Sequence, residues 1–170
     1  IKEIKELTKQ NSETIIPSRI KFKIKDDKEL ANFIYNARSP IKVYKVINSF
    51  QFTNIENIKE KAEKTKFPKI KGPFVVRCER TGEHNFNSID IEQQLGEIIN
   101  KGGKLKVDLK NPTTTIIVDI VNDNCFIGID FTGIKLSKRS YRIKLIPNSL
   151  NSCLAYCMLR ISDIKEKEVI

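Results

Sequence analysis

The sequence has few of the residues from which enzymes build reactive centres. Its 170 residues include one histidine, His84, one methionine and no tryptophan. A catalytic arrangement that needs an imidazole base would have to use His84, and no two acidic residues stand out as a catalytic or metal-binding pair. The adjacent glycines at positions 102 and 103 lack the spacing of a nucleotide-binding glycine loop. We therefore expect no catalytic centre within these residues.

The cysteines do not have the spacing of a metal site. Cys78, Cys125, Cys153 and Cys157 form no Cys-x-x-Cys pair, and two fall on predicted strands and two on a predicted helix. Buried thiols pack as small apolar side chains. We expect these four to be structural and expect no bound metal.

Long apolar runs are also missing. No stretch approaches the roughly 18 residues that span a bilayer, and the start of the chain has no signal-peptide pattern. We expect a soluble, cytoplasmic protein with no membrane partner. The chain opens on Ile1 within a helical pattern and stops on Ile170 within a pattern typical of a strand, so we interpret it as part of a longer polypeptide.

Negative charge is absent from one long segment. From Phe131 to Ser162 there is no aspartate or glutamate, while the stretch KLSKRSYR within it carries Lys135, Lys138, Arg139 and Arg142. Over the whole chain, 31 lysines and arginines face 21 acidic residues, which leaves a net charge of +10. An excess of this size favours a polyanionic partner, either nucleic acid or an acidic membrane surface.

The first part of the chain alternates strands and helices over a short period. RIKFKIK alternates apolar residues with cations, as a half-buried strand does. Leu30, Phe33 and Ala37 have the spacing of one helix face, IKVYKVINSFQF indicates another strand, and a second helix begins near Asn54. This order predicts a small α+β unit of the ferredoxin-like type.

A lysine-rich connection, KTKFPKIKGP, marks a domain boundary. Beyond it FVVRCERT alternates as a strand, Asn87 or Ser88 begins a helix, and TTTIIVDIV and CFIGIDF predict two strands joined by a turn. A last helix begins near Asn148, and its apolar face must pack against something. We expect domains at residues 1–71 and 72–142, followed by a linker helix and the start of another domain at 143–170.

The candidate binding residues are basic or polar and lie where strands and loops end. Arg77 and Arg80 precede the helix N-terminus at Ser88, where free backbone N–H groups can receive a phosphate. Cations interleaved with an aromatic ring suit single-stranded or end-on RNA, since cations hold phosphates and the ring can stack on a base. The candidate RNA-binding residues are Arg77, Arg80, His84, Ser88, Lys106, Lys110, Asn111, Lys138, Arg139, Tyr141 and Arg142.

Structural interpretations compete with several of these assignments. KLSKRSYR also fits a solvated loop, Tyr141 also fits a core position, and His84 also fits a residue that holds its own loop in place. The cationic row of RIKFKIK is more typical of an exposed strand face than of a specific RNA contact.

Two runs of the sequence resemble the THUMP domain, an RNA-binding module of tRNA-modifying enzymes. They are FVVRCERTGEHNFNSIDIEQQLGEII and KVDLKNPTTTIIVDIVNDNCFIGIDFTG, and they carry the pattern R-x-x-R-x-G-x-H-x-F-x-S, the V-D-L-K-N-P turn and paired strands ending in G-I-D. Residues 1–71 resemble the ferredoxin-like domain that accompanies THUMP in these enzymes. The resemblance implies an α+β protein with a ferredoxin-like N-terminal domain followed by an α/β THUMP domain.

The tail resembles one class of these enzymes, the THUMP-containing N2-guanosine RNA methyltransferases. It matches their K-R-x-Y-R segment, the following proline and a helix, although Ser140 stands where glycine is usual. The resemblance implies the tRNA-binding front of a methyltransferase, which engages the acceptor stem and 3′ end of tRNA. It also implies S-adenosylmethionine as the cofactor of a C-terminal methyltransferase domain of the same polypeptide, outside this chain.

Other assignments remain open. A 23S rRNA guanine-N2-methyltransferase would share this front end, and a stand-alone THUMP adaptor would present RNA to a separate enzyme. A 4-thiouridine synthetase would need a phosphate-binding loop downstream. Arg142 and Lys138 would, in a structural alternative, pair with carboxylates of the missing domain.

Overall fold

Helices and strands alternate along the residues that the computed structural model describes, which are 1–101, 103–138 and 148–162. The helices are α1 (Lys2–Thr8), α2 (Asp27–Asn36), α3 (Ile55–Glu63), α4 (Ser88–Ile99) and α5 (Ser152–Ile161). The strands are β1 (Ser12–Ile16), β2 (Arg19–Phe22), β3 (Tyr44–Gln51), β4 (Phe74–Thr81), β5 (Thr114–Val121) and β6 (Asn124–Asp130), and a 3-10 turn spans Leu136–Lys138. The predicted α+β class is confirmed.

The chain divides into two compact units. Unit 1 combines Ile1–Val43 with the described residues from Ile134 onward, and unit 2 is the continuous segment Tyr44–Gly133. Unit 2 is therefore inserted into the sequence of unit 1.

Unit 2 is a four-stranded sheet in the order β3-β6-β5-β4 with two helices on one face. β4 pairs with β5 in parallel, and the other two pairings are antiparallel. Central β5 is rich in β-branched residues and is buried from Ile116 to Val121. Ile58 of α3 and Ile91 and Leu95 of α4 are fully buried against it.

A close approach between two loops requires glycine at position 82. Gly82 has φ +111°, and a Cβ there would lie 2.8 Å from Asn122 Oδ1 and 3.2 Å from Asn122 Cα. Asn122 begins the turn between β5 and β6 and itself has φ +52°. The absence of a side chain at Gly82 thus lets the loop after β4 lie on this hairpin turn.

Unit 1 contains the two-stranded antiparallel sheet β1-β2 and helices that pack beside it. Its core includes Ile4 of α1, Leu30 and Phe33 of α2, and Leu136 from the returning chain. The rings of Phe22 and Phe33 are 4.9 Å apart. Burial of Leu136 therefore joins the two sequence segments of this unit.

The boundary expected at residues 71 and 72 differs from this division. The strand predicted within the N-terminal domain is β3, but it pairs with β6 from Tyr44↔Asp130 to Gln51↔Asn124. α3 likewise packs in the core of unit 2. Alternating apolar residues identify a strand without identifying its partner, so the sequence pattern grouped β3 with its neighbours in the chain.

Candidate nucleic-acid interface

Arg77 lies on β4 and contacts both α4 and the segment that contains Leu109. Its guanidinium donates to the carbonyl oxygen of Leu109 at 3.0 Å and lies 3.6 Å from Glu92 Oε2 on α4. Glu92 Oε1 in turn accepts a hydrogen bond from the backbone N–H of Cys78 at 2.9 Å. Arg77 therefore positions the 106–111 segment against α4, and the Arg77 side chain is still partly exposed.

Arg80 fixes the loop between β4 and α4. Its Nε donates to Ser88 Oγ at 3.2 Å, and its Nη1 donates to the carbonyl oxygen of Phe86. The guanidinium also lies 5.5 Å from the centre of the Phe86 ring. Arg80 and Ser88, two of the predicted site residues, are thus brought together, and Phe86 is a second partner of Arg80.

His84 belongs to the same loop and contacts the turn between β5 and β6. Its Nε2 is 2.7 Å from the carbonyl oxygen of Asn122, which can only accept, so Nε2 is the donor of this hydrogen bond. Nδ1 is buried without a hydrogen-bond partner, and the imidazole packs against the rings of Phe52 and Phe86. These contacts favour the structural interpretation of His84 over contact with RNA.

The N-terminus of α4 is occupied by its own side chains. Asn87 Oδ1 accepts from the N–H of Asp90 at 2.9 Å, and Asp90 Oδ2 accepts from the N–H of Asn87 at 3.1 Å. This reciprocal capping box uses donors that a phosphate would need. It also places the Asp90 carboxylate in the first turn, which disfavours the phosphate contact predicted near Ser88.

Lys106, Lys110 and Asn111 lie on an exposed turn beside β4. The carbonyl oxygen of Lys106 accepts from Phe74 N at 2.9 Å, and Asp108 Oδ1 accepts from the N–H groups of Lys110 and Asn111, each at 2.9 Å. Backbone bonds therefore fix the turn while all three predicted side chains are exposed. The two hydrogen bonds to Asp108 lower the pKa of its carboxyl.

A groove of about 670 Å³ lies between α4 and β4. Its apolar lining includes Ile89, Val107 and Leu109, which are 50 to 64% exposed. Arg77 and Lys101 also line it. Glu92 and Glu97 line it as well, so the groove combines exposed apolar walls with two cations and two carboxylates.

The predicted residues of KLSKRSYR are not part of this arrangement. Lys138 is exposed at the end of the 3-10 turn in unit 1, where Leu136 N donates to the carbonyl oxygen of Ile41 at 2.8 Å. Arg139, Tyr141 and Arg142 lie outside the described residues, and their RNA-binding roles stay predictions.

Two of the thiols, those of Cys78 and Cys125, are held in their protonated form. Burial raises the pKa of Cys78 and of Cys125 to about 12, so both are protonated at neutral pH. Among the described residues, no cluster of three or more histidine, cysteine or acidic side chains could hold a metal ion. None of the described helices has the length and hydropathy that a membrane crossing requires.

Sequence reasoning missed two contributors to this surface. Glu92 positions Arg77, and the available signal was a carboxylate beside the apolar face of Ile91 and Leu95. Lys101 lines the groove, and its signal was the cluster of lysines from position 101 to 110.

Comparisons with known proteins agree with these features. Residues 52–130 match the model of the THUMP domain. The tRNA (guanine(6)-N2)-methyltransferase of Methanocaldococcus jannaschii is 38% identical over 113 residues, which are 62% of this chain and 30% of that protein. The tRNA sulfurtransferase of Thermoplasma volcanium is 42% identical over 123 residues, 68% of this chain and 25% of that protein.

A solved structure resembles most of the chain. The crystal structure of TrmN from Thermus thermophilus superposes with a TM-score of 0.69 at 25% identity, over 85% of this chain and 43% of that one. More than half of each of these three proteins therefore lies outside the part that this chain matches.

Proposed function

Because the chain carries a THUMP domain at residues 52–130, we propose that it is the RNA-binding portion of an S-adenosylmethionine-dependent tRNA guanine-N2-methyltransferase. It would hold tRNA by the acceptor stem and 3′ end. The observation that carries the proposal is the 38% identity over 113 residues to a tRNA (guanine(6)-N2)-methyltransferase. A cytoplasmic location is part of the proposal, since tRNA is modified there.

The exposed lysine turn is the best candidate for the phosphate contacts. Lys104, Lys106 and Lys110 are exposed, and Asp108 is the one acidic residue of that turn. Lysine side chains hold phosphates as mobile point charges and need no fixed geometry. By contrast, Arg80 uses its donors on Ser88 and Phe86, so its role in the proposal is to position the loop.

The groove beside the turn supports contact with an unpaired nucleotide. Its apolar walls at Ile89, Val107 and Leu109 can contact a base or ribose, and the exposed lysines of the neighbouring turn are available for the backbone phosphates. Sequence-specific RNA recognition targets unpaired ends and loops, whose bases are free to leave the stack. A 3′ end fits this description.

The described residues do not fit a site for S-adenosylmethionine. Such a site needs a glycine-rich turn between a parallel strand and a helix N-terminus. Here the turn after β4 is filled by His84 and Phe86, and the Asp90 carboxylate caps the helix. In the proposal, this chain binds and orients the RNA, and the cofactor supplies the methyl group elsewhere in the polypeptide.

A tRNA sulfurtransferase is the second candidate. It is favoured by the 42% identity over 123 residues to the Thermoplasma volcanium protein. The two candidates share the RNA-binding part and differ in the product, which is N2-methylguanosine or 4-thiouridine. A ribosomal RNA methyltransferase and a stand-alone adaptor are further alternatives from the sequence.

The test has two parts. First, binding of the protein to intact tRNA is compared at two salt concentrations with its binding to the same tRNA without the 3′-terminal nucleotides. Clear loss of binding on trimming supports recognition of the acceptor end, and equal binding contradicts it.

Second, nucleosides from tRNA and ribosomal RNA treated with the full-length polypeptide are analysed by mass spectrometry. N2-methylguanosine in tRNA supports the proposal, 4-thiouridine replaces it, and neither product in tRNA overturns it.

A further inference from the structure

Gly96 lies in the interior of α4, where the fold does not require a glycine. It is not among the glycines with positive φ, and a Cβ at this position would have no heavy atom of the described residues within 4 Å. Its carbonyl oxygen accepts the N–H of Asn100 at 3.0 Å, as in a regular helix. Glycine is less favourable than alanine in a helix interior, because it loses more conformational freedom on folding. Packing among the described residues therefore does not account for this glycine.

The open space at Gly96 belongs to the groove between α4 and β4. The groove volume of about 670 Å³ lies within the range of about 300–1,000 Å³ that is typical of small-molecule sites. Gly96 lines the groove together with Gln93, Glu97 and Asn100, and the spacing of three and four residues places these positions on one side of the helix. A side chain at position 96 would extend into the space that the groove leaves for a ligand.

Glu97 supplies an available acceptor beside this space. The two cations that line the groove lie near other acids, since Arg77 Nη1 is 3.6 Å from Glu92 and Lys101 Nζ is 4.0 Å from Glu63. The Glu97 carboxylate is exposed and has neither an ion pair nor a hydrogen bond with the other described residues. A carboxylate only accepts hydrogen bonds, and it repels a second anion placed beside it. This part of the groove therefore suits a hydroxyl donor and disfavours a phosphate.

We propose that the groove holds the 3′-terminal ribose of the RNA over Gly96, with Glu97 accepting hydrogen bonds from its free 2′- and 3′-hydroxyl groups. The inference rests on the proposed function, because it takes the ligand to be the 3′ end of an RNA. Acidic side chains bind ribose hydroxyls in the same way in dinucleotide sites. Every other ribose of the RNA carries a phosphate on its 3′ oxygen, which the Glu97 carboxylate would repel. The groove would therefore select a free 3′ end over one that carries a phosphate or further nucleotides.

Three forms of one tRNA test this selection. Binding of the full-length polypeptide is measured with a 3′-hydroxyl, a 3′-phosphate and a 3′-deoxy end. The phosphate should weaken binding at least about tenfold, since like charges in one site repel, and loss of one hydroxyl should weaken it at least about threefold.

The general field of the protein predicts a different result for the same three tRNAs. The 170 residues carry a net charge of +10, so an added phosphate that meets no carboxylate should not weaken binding. Equal binding of the three tRNAs overturns the proposal. A loss with the 3′-phosphate alone also overturns it, because Glu97 then contacts no ribose hydroxyl.

Glu97→Gln identifies the group that rejects the phosphate. An amide can donate to a phosphate, so this variant should bind the 3′-phosphate tRNA within about threefold of the 3′-hydroxyl tRNA. Glu56→Gln, the same change at an exposed position of α3 outside the groove, should keep the wild-type preference. An unchanged preference in Glu97→Gln, or equal effects of the two variants, overturns the proposal.

Gly96→Leu tests the space over the helix. Leucine is a good helix former, so the urea midpoint of unfolding should not fall. Binding of the 3′-hydroxyl tRNA should weaken at least about tenfold, because the side chain fills the groove. Gln94→Leu, on the same helix but outside the groove, should leave binding within about twofold of wild type. Wild-type binding by Gly96→Leu overturns the proposal.

The groove and the proposed function can fail separately. If removal of the 3′-terminal nucleotides weakens binding but a 3′-phosphate does not, the acceptor end is recognised away from Glu97 and only the inference fails. If removal of these nucleotides leaves binding unchanged, recognition of the acceptor end fails and the inference fails with it. Formation of 4-thiouridine in place of N2-methylguanosine contradicts the methyltransferase and leaves the preference for a free 3′ end intact.

Discussion

The Glu92 carboxylate accepts the backbone N–H of Cys78 across 2.9 Å. Cys78 lies on β4, an edge strand of the four-stranded sheet. Phe74 of the same strand bonds to the neighbouring segment. Its N–H donates to the carbonyl oxygen of Lys106, and its carbonyl oxygen accepts from the N–H of Asp108. An open strand edge invites pairing with another chain, so a carboxylate from α4 closes this edge while it also holds Arg77.

Replacing Glu92 by alanine should destabilise unit 2. The change leaves the N–H of Cys78 without its partner, which costs about 1–2 kcal/mol of unfolding free energy. The partly exposed ion pair between Glu92 and Arg77 contributes little to the free energy of unfolding. Urea unfolding measures the difference, with exposed Glu97→Ala on the same helix as the control, expected within about 0.5 kcal/mol of wild type. Equal costs for the two variants would contradict the bridging role of Glu92.

Arg80→Lys should separate positioning from phosphate binding. Lysine keeps the charge but cannot bond both Ser88 and Phe86 in the geometry of the guanidinium. We expect a loss of about 1–2 kcal/mol in unfolding free energy and no change in the salt dependence of RNA binding. Binding isotherms at several salt concentrations supply the second quantity. A stable variant with a reduced salt slope would instead assign Arg80 to a phosphate.

The variant Lys104→Gln/Lys106→Gln/Lys110→Gln should weaken RNA binding and flatten its salt dependence. Each phosphate that the protein no longer neutralises reduces the log–log slope by about 0.7 to 0.9. Unfolding free energy should change little, since all three side chains are exposed.

The control variant Lys2→Gln/Lys28→Gln/Lys59→Gln removes the same charge at three other exposed positions. It should preserve most of the salt dependence of RNA binding. If the two triple variants weaken binding alike, the lysine turn contributes only to the general positive field of the protein.

Glu3→Gln should cost stability at neutral pH and less in acid. Burial raises the pKa of Glu3, but hydrogen bonds from Ser39, from the backbone of Arg38 and from Tyr156 outweigh it, and the pKa lies below its ordinary value of 4.5. A depressed folded-state pKa gives stability that is complete above the unfolded-state pKa and is lost as the pH falls through the folded-state pKa.

Urea unfolding of wild type and Glu3→Gln over a pH series measures this effect. The difference, about 1–3 kcal/mol at neutral pH, should shrink as the pH falls below about 4.5. Exposed Glu13→Gln is the matched control and should stay within about 0.5 kcal/mol of wild type. A pH-independent difference for Glu3→Gln would show that its carboxylate charge contributes nothing.

Local structure was predictable where local chemistry determines it. The helix N-termini at Asp26, Asn54 and Asn87 each have a side chain that accepts a backbone N–H, and such caps can be recognised in sequence. The hairpin at Asn122 was likewise predicted from its turn residues. β1 was missed because it is short and has no fully buried residue, so its apolar alternation is weak.

Partners distant in sequence were not predictable. The pairing of β3 with β6 was not predicted, because the two strands are far apart along the chain. Arg77 was identified as a candidate from its charge, yet its bond to Leu109 depends on how the chain folds back. Charge alone therefore indicated a polyanionic partner without separating contact residues from positioning residues.

The insertion of unit 2 within unit 1 determines the order in which the chain can fold as it leaves the ribosome. The first 43 residues emerge without Leu136 and Cys153, which complete the contacts of unit 1. Unit 2 is continuous and can fold while those residues are still to be translated, although domains generally fold in their order of synthesis. Residues 1–43 therefore cannot complete the contacts of unit 1 until the segment from Ile134 onward has been translated. A truncation at residue 71 would leave both units incomplete.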